Sequence, residues 1–207
     1  MLSTWSFDHV SDSPTLYFAA LYVPFDAGVL LTCVLISRRF GTGRFSSDFG
    51  WRFELGDLWR GPLLFLLAGI ASAIARLPWV NDPAVSRTTD QFERDLGALP
   101  VTAIVLLALT AVISAPLLEE LAFRGILQRS LTQRFGLGPA ILLQGVCFGA
   151  AHLAPGLGRY NYFLMAGITT FGIAFGIAAA RWRRLGPGII AHMVTNAIFV
   201  IAVVANR

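Results

Sequence analysis

Long runs of apolar residues separated by short polar stretches are the dominant pattern of this chain. About six such runs occur, at 15–37, 61–80, 98–122, 137–154, 161–180 and 186–205. A helix needs about 20 mostly apolar residues to cross a bilayer, and continuous runs favour helices over barrel strands, in which hydrophobicity alternates. The pattern therefore predicts an all-α, polytopic transmembrane helical bundle of about six spans, the fourth of them short.

Arginines are concentrated in alternate loops of this predicted bundle, whereas the loops between them are balanced or nearly uncharged. The arginine-rich loops follow spans 1, 3 and 5 and contain Arg38, Arg39, Arg44, Arg52, Arg60, Arg124, Arg129, Arg134, Arg181, Arg183 and Arg184. Because basic loops stay on the cytoplasmic side, we expect these loops to be cytoplasmic and both termini to lie outside.

The composition supports a membrane protein. Hydrophobic residues make up 56% of the 207 residues and charged residues 14%, against about 45–50% and about 25% in soluble domains. Topology explains the basic loops, so we expect the lipid bilayer as a partner and no nucleic acid. The basic residues, all 16 of them arginine, and the many alanines and glycines favour a bacterial plasma-membrane protein.

Two regions are expected along the chain. Residues 1–96 form an N-terminal transmembrane region of two spans. The aromatic and basic stretch between these spans, "FGTGRFSSDFGWRFELGDLWRG", is predicted to be an amphipathic segment along the cytoplasmic membrane surface. Residues 97–207 form a helical core that contains most of the polar residues within the spans, and ionisable residues inside a membrane are candidates for function.

Two adjacent carboxylates in "PLLEELAFRG" are the first candidates. Glu120 and Arg124 are four residues apart, so a helix brings them together as an ion pair. Glu119 is rotated by about 100° from Glu120, which leaves it available as a general base.

A histidine on the fourth span is expected beside Glu119. The helical pattern runs to about Phe135 and breaks at "GLGP"; in a hairpin there, Glu119 and His152 lie almost equally far from the turn. His152 shares a helix face with Gln144 and Phe148, each four residues apart.

The sixth span adds His192 and Asn196, also four residues apart. Three helices thus bring polar groups together. This set suits a glutamate-activated water with imidazole and amide groups around an oxyanion, and equally a metal ion held by two histidines and a carboxylate.

Three ordered motifs, "EELAFR", "FGAAH" and "HMVTN", resemble those of the CPBP family of intramembrane endopeptidases. This family includes CAAX proteases and bacteriocin-processing or immunity proteins and is also called the Abi family. The resemblance covers about 116–200 and implies a CPBP-like catalytic core within 97–207. It implies that Glu119 polarises the attacking water, that His152 orients it, and that His192 and Asn196 stabilise the oxyanion. Glu120, Arg124 and Phe148 would support the site.

The resemblance leaves cofactor and substrate open. We favour a metal-free glutamic protease, because HxxxN is not the HExxH spacing of zinc proteases. If a divalent metal such as zinc is used, Glu119, His152 and His192 are its expected ligands. Family members often have eight spans, and the predicted substrate is a membrane-associated peptide or protein. The alternative is a non-enzymatic bacteriocin immunity factor or scaffold that retains the polar core.

Overall fold

The computed structural model describes residues 14–205, and among these residues it contains helices and no strand. The all-α class is thereby confirmed. The helices are α1 (Pro14–Phe40), α2 (Phe45–Asp48), α3 (Asp57–Arg76), α4 (Pro83–Gly97), α5 (Val101–Phe135), α6 (Leu137–Ala150), α7 (Tyr160–Trp182) and α8 (Gly186–Ala205). The prediction that both termini lie on the outer side of the membrane, opposite the cytoplasm, concerns residues 1–13 and 206–207, which lie outside the described residues.

Four of the helices are long and apolar enough to cross a membrane: α3 with the 3₁₀ turn Leu77–Trp79 that follows it, α5, α7 and α8. They mark the chain as an integral membrane protein. The first predicted span coincides with α1, a helix of 27 residues. The fourth coincides with α6, whose 14 residues fall short of the about 20 that a bilayer requires. The count of six spans stays a prediction.

The predicted hairpin between α5 and α6 forms where the "GLGP" break indicated. Gly136 separates the two helices with a φ of 82°, a left-handed conformation that glycine adopts without the steric cost of a side chain. Helix α6 therefore turns back along the second half of α5.

Glycines let α7 and α8 approach their neighbours closely. A Cβ built on Gly172 of α7 would lie 2.8 Å from the Cα of Gly145 on α6. A Cβ on Gly61 of α3 would lie 3.1 Å from the backbone nitrogen of Ala191 on α8. Small residues at such contacts let the helix backbones pack tightly in a membrane, and this packing holds α7 against α6 and α8 against α3.

Two connections differ from the sequence expectation. The stretch before α5, expected to be a loop, contains α4, which begins at Pro83 after the N-cap Asp82. Phe92 of α4 stacks on Phe199 of α8 with ring centroids 6.2 Å apart. The amphipathic segment after α1 packs against the bundle, since Phe49 is 3% exposed, and its location along the cytoplasmic membrane surface stays a prediction. Leu185 N–H donates to Gly50 O at 2.9 Å.

Candidate active site

Glu119 and Glu120 lie where α5 departs twice from regular α-helical geometry. The α-helical stretch Ala115–Glu120 is flanked by two π-helical segments, Thr110–Ser114 and Leu121–Leu127. Such segments are rare and frequent at functional sites. Pro116 accounts for the first, because it has no N–H and its ring would clash with the carbonyl four residues earlier.

Glu120 and Arg124 form the ion pair that their spacing predicted. Arg124 Nη1 lies 2.9 Å from Glu120 Oε1, and both side chains are 0% exposed. Arg124 Nη2 also donates to the backbone carbonyl of Gly172 on α7 at 3.1 Å. Because neither charge reaches water, each compensates the other, and loss of one would leave an isolated buried charge.

The ring of Phe148 on α6 joins the ion pair to both histidines. The Arg124 guanidinium carbon lies 4.3 Å from the ring centroid, a cation–π contact. The ring centroids of His152 and His192 lie 4.9 Å and 5.8 Å from that of Phe148. Phe148, itself 2% exposed, therefore fixes the relative positions of the three polar side chains.

Glu119 occupies the more open side of this cluster. Its Oε2 atom lies 3.9 Å from His152 Nε2 and 3.8 Å from His192 Nε2, and its side chain is 20% exposed. Oε2 is buried and has no hydrogen-bond partner. His192 also lies beside the other carboxylate, with Nδ1 3.5 Å from Glu120 Oε1. One imidazole thus stands between the two glutamates.

The proton of His152 can be assigned from its backbone contact. His152 Nδ1 lies 2.8 Å from the carbonyl oxygen of Phe148. A carbonyl only accepts, so Nδ1 bears the hydrogen and donates it. In the neutral ring Nε2 is then an acceptor that faces Glu119.

Asn196 reaches α5 rather than the carboxylates. Its Nδ2 donates to the carbonyl of Ala111 at 2.7 Å, within the first π-helical segment. One amide hydrogen is therefore engaged, and the second hydrogen and Oδ1 stay available. The structure thus gathers six of the predicted residues (Glu119, Glu120, Arg124, Phe148, His152 and His192) at the meeting of α5, α6 and α8. Asn196 instead bonds to α5 at Ala111, about two turns before Glu119.

Two buried glutamines extend the cluster beyond the residues that the motifs indicated. Gln144 Nε2 donates to Gly172 O at 2.8 Å, the same oxygen that Arg124 uses. Gln128 Nε2 donates to Gly176 O at 2.9 Å. Gln128 lies one turn after Arg124, and Gln144 one turn before Phe148. Each glutamine thus lies on the same helix face as a motif residue, at a spacing of four residues. This spacing could have identified both glutamines from the sequence.

Among residues 14–205, no group of three or more His, Cys, Asp or Glu side chains is arranged to hold a metal ion. The ligand set Glu119, His152 and His192 stays a prediction.

The all-helical fold and the polar cluster within apolar helices define the class: an integral membrane protein with a candidate hydrolytic site inside the bundle. Residues 101–198 match the family model "Type II CAAX prenyl endopeptidase Rce1-like". This segment contains all three motifs, and the match confirms the predicted CPBP/CAAX-protease resemblance. No curated protein and no solved structure matches the chain.

Proposed function

We propose that the protein is an intramembrane endopeptidase that hydrolyses peptide bonds of membrane-associated proteins or peptides with a water activated by Glu119. One observation carries the proposal: the buried, unpartnered Glu119 Oε2 lies between the Nε2 atoms of two histidines, at 3.9 Å and 3.8 Å. These separations exceed a direct hydrogen bond and suit a bridging water.

His152 is suited to orient that water. Because its Nδ1–H is donated to Phe148 O, Nε2 accepts one hydrogen of the water while Glu119 Oε2 accepts the other. The water oxygen then has its lone pairs free for a carbonyl carbon. As the bond forms, Glu119 takes the proton, and it later returns this proton to the departing amine.

His192 and Asn196 are suited to the oxyanion. His192 Nε2 lies 3.8 Å from Glu119 Oε2, so this nitrogen lies near the proposed water and is a suitable donor to the oxyanion. The free amide hydrogen of Asn196 provides a second donor. Preorganised donors of this kind are each worth about 100- to 1,000-fold in rate.

The family description makes a prenylated peptide ending in a CAAX sequence the first substrate to test. The same peptide without its prenyl group tests whether the lipid is required. We further propose the bacterial plasma membrane as the location, with the arginine-rich loops on the cytoplasmic side.

The decisive experiment is Glu119→Gln in the full-length protein reconstituted in lipid vesicles. The amide keeps the shape of the side chain and cannot take a proton, so we expect cleavage of a fluorogenic prenylated CAAX peptide to fall by about 100- to 10,000-fold. Glu93→Gln, an exposed carboxylate of α4, is the matched control and should keep full activity. Full activity of Glu119→Gln would overturn the proposal.

Two further outcomes separate the alternatives. Chelator treatment should leave activity unchanged; a loss restored by zinc would instead favour a metal held by Glu119, His152 and His192. If a bacteriocin-immunity phenotype survives in a well-folded Glu119→Gln variant, the non-enzymatic immunity factor or scaffold is the better reading.

A further inference from the structure

The first π-helical segment leaves one backbone carbonyl of α5 without a backbone donor. In this segment Ala115 N–H bonds to Thr110 O, five residues earlier. The same spacing pairs Ala111 O with residue 116, which is proline and has no N–H. Ala111 O therefore needs a donor from outside the backbone of its own helix.

Asn196 of α8 supplies that donor, since its Nδ2 lies 2.7 Å from Ala111 O. An unpaired carbonyl in the interior destabilises the fold, and more so where lipid excludes water. The side chain thus completes a hydrogen-bond pattern that Pro116 interrupts.

This bond also ties together the two helices that contain the chemistry. Ala111 precedes Glu119 by about two turns on α5, and Asn196 follows His192 by about one turn on α8. A one-residue change in the hydrogen-bond register of α5 before Glu119 would rotate Glu119 by about 100° away from His192. The Asn196–Ala111 bond opposes such a change, because it holds α5 to α8 within the first π-helical segment.

We propose that Asn196 is a positioning residue: it replaces the N–H that Pro116 lacks and so holds Glu119 in register with His192. This role rests on the proposed function and is distinct from oxyanion binding, because the two roles use different hydrogens of one amide group. Because Asn196 positions Glu119 through α5, a substitution in α5 that restores the missing backbone N–H should make Asn196 less important.

A double-mutant cycle tests this role. Asn196→Ala removes the donor, and Pro116→Ala returns a backbone N–H at the position where the π register needs one. Asn196→Ala alone should lower the Tm and reduce kcat about 100-fold with little change in KM. In the Pro116→Ala background both losses should be smaller, the loss in kcat by about tenfold, since contacting groups are coupled.

The control is Asn161→Ala, which removes hydrogen bonds to the backbone of Ala154. Its effect on Tm should be equal in both backgrounds. Equal effects of Asn196→Ala on Tm and kcat in both backgrounds would overturn the positioning role and leave only an oxyanion role. If the wild type cleaves no peptide, the coupling in Tm still decides this proposal, while the proposed function fails.

A second variant covers the case in which Pro116→Ala does not fold. Asn196→Asp keeps the shape of the side chain, removes the donor and places a carboxylate oxygen against Ala111 O. We expect a Tm at least as low as that of Asn196→Ala. A wild-type Tm would overturn the proposal.

Discussion

Among residues 14–205, the buried ion pairs Asp57–Arg184 and Glu120–Arg124 differ in how completely their polar atoms are hydrogen-bonded. At the start of α3, Arg184 Nη2 and Nε contact the two oxygens of Asp57 at 2.7 Å and 3.2 Å, and Glu54 N–H donates to Asp57 Oδ2 at 2.9 Å. At the centre, Arg124 Nη1 and Glu120 Oε1 contact each other at 2.9 Å, and Glu120 Oε2 and Arg124 Nε have no hydrogen-bond partner.

The difference separates a structural pair from one suited to chemistry. Each oxygen of Asp57 accepts at least one hydrogen bond. The Asp57–Arg184 pair, which we call the clasp, therefore holds α3 to the turn before α8. The clasp also raises the pKa of Arg184, mainly through its hydrogen bond to Asp57. The central pair neutralises its charge but leaves Glu120 Oε2 and Arg124 Nε buried without a partner, and such unsatisfied groups in a native interior call for an explanation.

The largest effect is expected at the central pair. Arg124→Met leaves Glu120 as an isolated buried charge, so we expect a loss of about 3–5 kcal/mol in stability and very little folded protein. Adding Glu120→Gln should recover most of the folded yield without recovering cleavage. The measurements are thermal unfolding in detergent and peptide cleavage. If Arg124→Met is as stable as the wild type, the central ion pair does not differ from the Asp57–Arg184 pair in the way described.

The clasp should affect stability without affecting chemistry. Asp57→Asn removes the charge opposite Arg184, and we expect a loss of about 2–4 kcal/mol with unchanged cleavage per folded molecule. Glu54→Gln is the control: Glu54 contacts Arg184 at 2.9 Å but is 47% exposed, so its loss should stay below about 1 kcal/mol. A large fall in kcat per folded Asp57→Asn molecule would contradict a purely structural clasp.

A smaller effect is expected at the contact that connects the two regions. In Gly61→Ala the new Cβ would meet Ile190 and the backbone of Ala191, next to His192, so α8 must shift. We expect a loss of about 1–3 kcal/mol and a reduced kcat, both measured as above. Gly69→Ala, where nothing lies within 4 Å, should change neither; equal behaviour of the two variants would show that this contact is loose.

The smallest effect concerns Asp48, a carboxylate outside the spans. Hydrogen bonds from the Ser37 hydroxyl and from Thr42 lower its pKa from 3.8 to about 2. Because the folded-state pKa is lower, the stabilisation is present above the ordinary pKa and is lost as the pH falls toward about 2. The Tm difference between wild type and Asp48→Asn should therefore shrink between about pH 4 and pH 2. A constant difference across that range would contradict the assignment.

Local spacing was enough to predict part of the candidate site. The Glu120–Arg124 ion pair follows from their spacing of four residues on one helix. The height of His152 beside Glu119 follows from their nearly equal distances along the chain from the turn at Gly136. The roles of these residues in hydrolysis stay predictions.

Other features depend on contacts that no single helix encodes. The bond from Asn196 to Ala111 O arises because Pro116 changes the hydrogen-bond register and α8 happens to pass beside it. Gln144 and Arg124 both donate to Gly172 O. This contact could not be predicted without knowing where α7 packs against α5 and α6. Helix α4 was missed because its polar composition resembles a loop, although Asp82–Pro83 is a recognisable helix start.

The shortness of α6 has a consequence for the surrounding lipid. Its 14 residues span about 21 Å, against about 30 Å of hydrocarbon. If α6 crosses the bilayer as the predicted fourth span, a thinner bilayer or a polar depression around the loop after His152 must make up the difference of about 9 Å, since backbone groups there need water. We therefore expect the rate of peptide cleavage to depend on the thickness of the membrane. The protein should cleave its peptide more slowly in vesicles made of longer-chain lipids.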